Sequence, residues 1–143
     1  MRLFHEYQPG RKWIARLSHD TDLLQALEEF AATKNIKVGR IEVIGAVKKA
    51  TLAYYDQAKK EYGTLEFNEP LEILNCSGNL SLRENLHRAH LHITFGRCDG
   101  TTLGGHLMLG TVVFAAEAVI EELNGPELQR GFDSPTGLPL WEL

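Results

Sequence analysis

The chain has 143 residues, a length that suits one domain of ordinary size and would cramp two packed cores. Hydrophobic residues make up 43% and charged residues 24%, the balance of a folded globular protein rather than a disordered or fibrous one. Fifteen Lys and Arg against nineteen Asp and Glu give a net charge of −4, which argues against coating nucleic acid with the whole surface and leaves only a local basic face. No apolar run approaches the roughly 18–20 residues of a membrane span, and the opening MRLFHEYQPGRKW lacks the apolar stretch of a secretory signal. A cytoplasmic protein is expected. Cys76 and Cys98 form no CxxC pair and are too few for a disulfide framework, so both are expected as buried free thiols.

In chain order, residues 1–12 are polar, carry Pro9 and Gly10, and read as an N-terminal arm or edge segment. Trp13, Ala15 and Leu17 alternate with Ile14 and Arg16, which predicts a first strand. Leu23, Leu24, Leu27, Phe30 and Ala31 fall at helical spacing, predicting one main helix over about 20–34, capped by Asp20 or Thr21 and ending at Lys34-Asn35. Strand chemistry follows in four runs: Val38–Val47, Thr51–Tyr55, Tyr62–Phe67 and Glu72–Leu82, the last with a bend or bulge at Gly78. His87–Arg97 and Leu103–Ala116 read as two more strands joined across Asp99-Gly100, and Glu117–Leu123 leans to strand. Residues 125–143 hold three of the five prolines and no clear period, and read as an irregular tail. The fold class is α+β: a mainly antiparallel sheet with one main helix and a few short ones, in a single domain over 1–143.

Six histidines are present, three of them within residues 87–92. In RAHLHITFGR, Ala89, Leu91, Ile93 and Phe95 share one face of a strand, while His90, His92 and Thr94 share the other. At a rise of ~3.3 Å per residue the two imidazoles stand about 7 Å apart, where both can reach one borderline-soft cation. His106, in GGHL on the return strand, is the third candidate. With a two-residue turn at Asp99-Gly100, His106 faces Ile93 on the apolar side. A three-residue loop over Cys98–Gly100, or one bulge at Gly104-Gly105, shifts the register by one and sets His106 opposite His92. The shifted register is predicted. His87 reads as exposed or as a spare ligand; His5 and His19 read as exposed, without partners.

The order Gly78-Asn79, His90-Leu91-His92, Asp99-Gly100 and Gly104-Gly105-His106-Leu107 closely resembles the plants-and-prokaryotes-conserved (PPC) domain. Arg16-Leu17, Leu23-Leu24, Ile44-Gly45-Ala46-Val47, Leu52, Tyr54-Tyr55 and Glu72-Ile73-Leu74 fit the same pattern, as do Glu117, Arg130, Asp133 and Thr136-Gly137-Leu138, so the likeness spans roughly residues 13–141. The resemblance implies a PPC-like antiparallel sheet with a few helices and a homotrimer with clefts between subunits. It also implies a divalent metal, typically zinc, at His90, His92 and His106. In plants the domain follows AT-hooks and regulates transcription, which implies a DNA-binding or regulatory role by association. Two departures stand out: no Arg-Gly-Arg-Pro string occurs, and Ser18-His19-Asp20 stands where the family often shows a Gly-Glu pair.

Three functions therefore compete. The first is a trimeric metal-binding regulatory module that touches DNA or a regulatory protein through Arg83, Arg88 and Arg97, which flank the histidines against Glu84 alone. The second is a zinc-dependent, hydrolase-like enzyme that activates water on a three-histidine metal and acts on a small anionic substrate. Glu72 and Glu117 are its candidate general bases by motif membership, and Arg16 and Arg130 its candidate ligand-binding cations. The third is a metal-free pocket in which imidazoles and arginines hold a phosphate or carboxylate. No membrane partner is expected.

Overall fold

The computed structural model describes residues 5–142. In chain order the elements are β1 Gln8–Leu17, α1 Leu23–Lys34, β2 Gly39–Asp56, β3 Glu61–Phe67, β4 Leu71–Arg83, β5 Leu86–Gly96, β6 Thr102–Leu107, β7 Val112–Asn124, β8 Arg130–Asp133 and β9 Leu138–Trp141. The large sheet has seven antiparallel strands in the order β1-β7-β2-β4-β5-β6, with β3 on the far half of β2. β6 pairs back onto that far half through Leu52↔Leu107 and Ala53↔His106, so β2, β4, β5 and β6 close upon themselves. The fold is thus mostly β with one helix among the described residues; the few short helices expected beside it are not found there.

Leu23, Leu27 and Ala31, spaced four apart, bury one face of α1 in the core. Each leucine so buried is worth about 1.5–3 kcal/mol against exposure. The cap falls on Asp22 rather than on Asp20 or Thr21. Asp22 is extended, its Oδ1 accepts the Gln25 N–H at 2.9 Å, and its Oδ2 accepts the Gly110 N–H at 2.6 Å. Asp20 is turned away at φ 63°, with its carboxylate on Lys48. Asn35 closes the helix in the left-handed conformation at φ 52°.

Several expected boundaries move. The first strand starts at Gln8, so part of the predicted arm is an edge strand, where Pro9 costs no central ladder bond. Val38–Val47 and Thr51–Tyr55 are one strand of 18 residues, β2, whose near half pairs with β4 and β7 and whose far half pairs with β3 and β6. Its polar Lys48-Lys49 lies among register shifts against β7 instead of in a turn. Leu103–Ala116, read as one strand, breaks between β6 and β7, where Gly110 takes φ 101°. There the fully buried Thr111 hydroxyl accepts the Thr51 N–H and donates to the Thr51 carbonyl, both at 3.1 Å. Gly78 makes no bulge; a Cβ there would lie 1.9 Å from the His90 carbonyl oxygen, so glycine permits close approach of β4 and β5. The tail is not wholly irregular, since β8 and β9 form a separate hairpin beside β4.

The core includes Leu23, Ile41, Leu52, Leu91, Phe95, Leu107 and Ile120, with Trp13, Ala15 and Leu17 packed against it, as the first strand's alternation predicted. A row of directly paired residues crosses the opposite face: Ile14, Val119, Glu42, Ser77, His92 and His106. Ile14 on this row is 89% exposed. Of the two cysteines, both free, Cys76 is buried and Cys98 is exposed, so the expectation of two buried thiols holds for Cys76 only. Among the described residues no helix is long and apolar enough to cross a membrane.

Candidate metal centre

Register decides whether the histidines meet. Arg97 N–H donates to the Thr101 carbonyl at 2.9 Å, leaving a three-residue loop over Cys98–Gly100 with Gly100 at φ 82°. From that loop the pairing runs without a shift, Gly96↔Thr102 to His92↔His106. Of the two routes to the shifted register, the molecule takes the loop and needs no bulge at Gly104-Gly105.

His90, His92 and His106 then share one outer face. Their ring centroids are 5.3 Å apart for His90 and His92, 5.0 Å for His90 and His106, and 5.4 Å for His92 and His106. One nitrogen from each lies within 4.8 Å of the others. Burial, then Arg130 and the other two histidines, pushes the His90 imidazolium down to about 4. Burial first, then His92 and Arg130, lowers His106 below the ordinary histidine value. Both imidazoles are therefore neutral near pH 7, the form that donates a lone pair to a metal. Three convergent imidazoles are a donor set that suits zinc, whose bonds to histidine nitrogen are about 2.0–2.1 Å. On that test the residues fit a divalent cation.

Arg130 reaches the cluster from β8. Its guanidinium donates to Ser81 Oγ at 2.9 Å, Asn79 Oδ1 at 2.8 Å and the Pro139 carbonyl at 3.1 Å, and lies over the Trp141 ring at 5.2 Å. Its contact with His90 Nδ1, 3.4 Å, is long. Asn79 and Ser81 pair directly with His90 and Arg88, so the strand period sets them on the histidine face. A cavity of about 270 Å³ opens beside His90 and His106, bounded by Arg130, Tyr62 and Met108 and roofed by Leu138, Pro139 and Leu140. The Tyr62 ring packs on His106 at 5.4 Å.

The other sequence candidates lie elsewhere. Arg16 is exposed on β1, paired in register with Glu117 of β7, and neither lines the histidine cavity. Glu72 borders a different cavity with Cys98 and Phe114, so it too is displaced from the histidines. Arg88 donates to Glu28 at 3.0 Å and Arg97 to Glu69 at 3.1 Å, so two arginines of the expected basic face are paired to acids distant in sequence. His87 is half-buried, not exposed, and its Nε2 is buried without a hydrogen-bond partner. His19 is exposed but has partners: Nδ1 sits 2.7 Å from the Phe114 carbonyl, and Nε2 3.4 Å from Asp20. His5 is exposed, its ring edge-on to Tyr7. Tyr62 and Met108 were missed. Nothing local marks them, although Tyr62 follows from the pairings of β2, since Ala53↔His106 and Tyr55↔Tyr62 place these residues on one face.

This combination, an antiparallel β fold with three imidazoles gathered on the outer face of its sheet, defines a class of β-rich proteins with a candidate metal centre. The model of the Plants and Prokaryotes Conserved (PCC) domain matches residues 4–124, and the chain belongs to that family. A metal-containing protein from Archaeoglobus fulgidus is 43% identical, with a TM-score of 0.94 over 100% of both chains. A plant- and prokaryote-conserved protein from Pyrococcus horikoshii is 30% identical, with a TM-score of 0.93, over 99% of this chain and 97% of its own. The bifunctional protein GlmU of Synechococcus sp. (strain JA-3-3Ab) is 33% identical over 129 residues, 89% of this chain; the chain spans 20% of that relative's length.

Proposed function

We propose that the protein binds one divalent cation, zinc, through His90, His92 and His106, and acts as a subunit of a homotrimer. The carrying observation is the convergence of three imidazoles, with one nitrogen of each within 4.8 Å of the others, on two adjacent strands. The metal found in the Archaeoglobus fulgidus relative supports the same reading. Self-assembly is supported by the exposed apolar residues Ile14 and Val119, which pair directly on the outer face, and by the exposed Ile44 on the neighbouring strand β2. Elemental analysis of protein purified without a histidine tag tests the metal. About one zinc per chain is expected, falling below a tenth in His92→Ala; no metal after supplementation refutes it. Light scattering tests the assembly: a trimer that Ile14→Glu converts to monomers is expected, and a wild-type monomer refutes it.

A second reading, a zinc-dependent hydrolase-like enzyme on a small anionic substrate, is favoured by the cavity that joins the histidines to Arg130. A divalent cation there would supply Lewis acidity. Arg130 would orient an acidic group, Leu138 and Pro139 would exclude water, and the Tyr62 hydroxyl would donate a hydrogen bond. Glu72 and Glu117 have no part in this arrangement. The DNA-binding role implied by family association draws less support, because Arg88 and Arg97 are spent on Glu28 and Glu69. If it operates, duplex DNA should bind at low salt and dissociate steeply as salt rises. Anisotropy that stays flat at low salt removes it.

A further inference from the structure

Arg130 is half-buried, and among the described residues no carboxylate lies within ion-pair distance of it. Its three hydrogen bonds go to neutral oxygens: a hydroxyl, an amide and a backbone carbonyl. A guanidinium has five N–H groups, one on Nε and two on each terminal nitrogen. Beyond those three bonds, Nη1 keeps one N–H, and the second N–H of Nη2 makes only the long 3.4 Å contact with His90 Nδ1. Two parallel N–H groups are what a carboxylate takes in a bidentate pair.

The space next to Arg130 limits what brings that charge. Its apolar lining is Met108, Leu138, Pro139 and Leu140, beside the histidines and Tyr62. The volume of about 270 Å³ lies just under the ~300–1,000 Å³ of ordinary small-molecule pockets. An inorganic anion would leave these apolar walls without contact. Arg83 lines the same cavity and, among the described residues, is without an ion-pair partner.

We infer that this cavity binds a small aliphatic carboxylic acid of about four to six carbons, with its carboxylate on the open Nη1 N–H of Arg130 and on the Nη2 N–H that it takes over from the long contact with His90, and its hydrocarbon chain between Met108 and the β8–β9 hairpin. This names the ligand class of the site in which the second functional reading places its substrate, and it rests on that reading for location. It does not require the metal. Arg130 holds the acid; the histidines border it.

Calorimetric titration of acetate, butyrate, hexanoate and inorganic phosphate tests the assignment on full-length protein, both chelator-treated and zinc-loaded. Trp141 emission, isolated by Trp13→Phe, gives a second readout because its ring lies under the Arg130 guanidinium. Hexanoate is expected to bind at least tenfold tighter than acetate or phosphate in both forms. Arg130→Gln should weaken hexanoate at least tenfold while zinc content stays near one per chain, and Arg130→Lys should recover part of the loss. Leu138→Phe, which narrows the cavity and leaves Arg130 in place, should weaken hexanoate and spare acetate, a pattern that misfolding would not give. Equal binding of all four anions, no saturable binding, or full affinity in Arg130→Gln overturns the inference. Acid binding without zinc uptake would refute the metal centre and leave this inference standing; zinc uptake without acid binding would do the reverse.

Discussion

Replacing Gly78 by alanine should damage stability and the histidine cluster together. Gly78 lies in β4 between Ile41 of β2 and Leu91 of β5, so backbone packs on both sides. An added Cβ would stand 1.9 Å from the His90 carbonyl oxygen, 2.9 Å from its carbon and 3.0 Å from Leu91 Cα. Carbon and oxygen approach no closer than about 3.3 Å in ordinary C–H···O contacts, so the strands must part by about 1.4 Å. That overpacking costs about 1–3 kcal/mol, and two ladder hydrogen bonds stretched with it cost about 1 kcal/mol each. The entropy gained by removing a glycine from the unfolded chain offsets about 0.4–1 kcal/mol. A net loss of about 3 kcal/mol lowers the melting temperature by on the order of 10 °C in a chain of this size. Because the displaced backbone belongs to His90, zinc affinity should fall at least tenfold; metal sites tolerate distance errors of only about 0.2 Å. Gly63→Ala is the control, since the nearest atom to its Cβ would be the Tyr54 oxygen at 3.8 Å. Thermal unfolding by circular dichroism and zinc uptake measure both effects. A Gly78→Ala melt within 2 °C of wild type, or an equal loss in Gly63→Ala, would refute the close-approach argument.

Other expectations follow from single contacts. In His106→Ala the metal-free protein should melt within a few degrees of wild type, while the stabilisation of about 2.7 kcal/mol given by zinc at a hundredfold excess over Kd should vanish; a zinc-induced rise of normal size would contradict a three-histidine site. Asp22→Ala removes both the helix cap and the acceptor for Gly110, for a loss of about 2–3 kcal/mol in urea unfolding; Asp22→Asn, which keeps one carbonyl oxygen, should lose about half as much. A thiol reagent at pH 8 should label one cysteine of the native protein quickly, the exposed Cys98. Burial pushes the Cys76 thiol up to about 12, so it stays protonated and should react only after unfolding; two fast thiols would contradict that assignment.

What could be read without coordinates was whatever depends on period and local turn chemistry. The alternation in RAHLHITFGR placed two histidines on the polar face, and the Asp99-Gly100 hairpin reduced the position of His106 to one residue of register. Helix α1 was legible because its leucines recur every four residues, although the cap moved from Asp20 or Thr21 to Asp22. The rest depends on long-range pairing. Nothing in Lys48-Lys49 says that β2 continues through them, because the continuity comes from β3 and β6 accepting its far half. Arg130 was singled out by family likeness alone, since residues 125–143 carry prolines and no period, and its route to the histidines is a hairpin packed beside a distant strand. Motif membership, the ground for Glu72 and Glu117, carries no information about facing, and both residues fall outside the cavity.

That hairpin has a consequence for motion. A two-stranded ribbon is marginal by itself in water. β8 and β9 are tied to the rest of the chain by Arg130 to Asn79 and Ser81 with a long contact to His90, by Gln129 Nε2 to Asn85 Oδ1, by the Tyr55 hydroxyl to the Thr136 carbonyl, by Lys60 to the Ser134 carbonyl, and by the Leu82 N–H to the Leu128 carbonyl. One side of the cavity belongs to β5 and β6, strands laddered on both sides, while the other belongs to a hairpin outside the large sheet. Amide hydrogens of residues 130–141 should therefore exchange with solvent sooner than those of 90–106, by local opening rather than global unfolding. Whatever fills the cavity would slow that exchange, which makes the hairpin amides a reporter of occupancy.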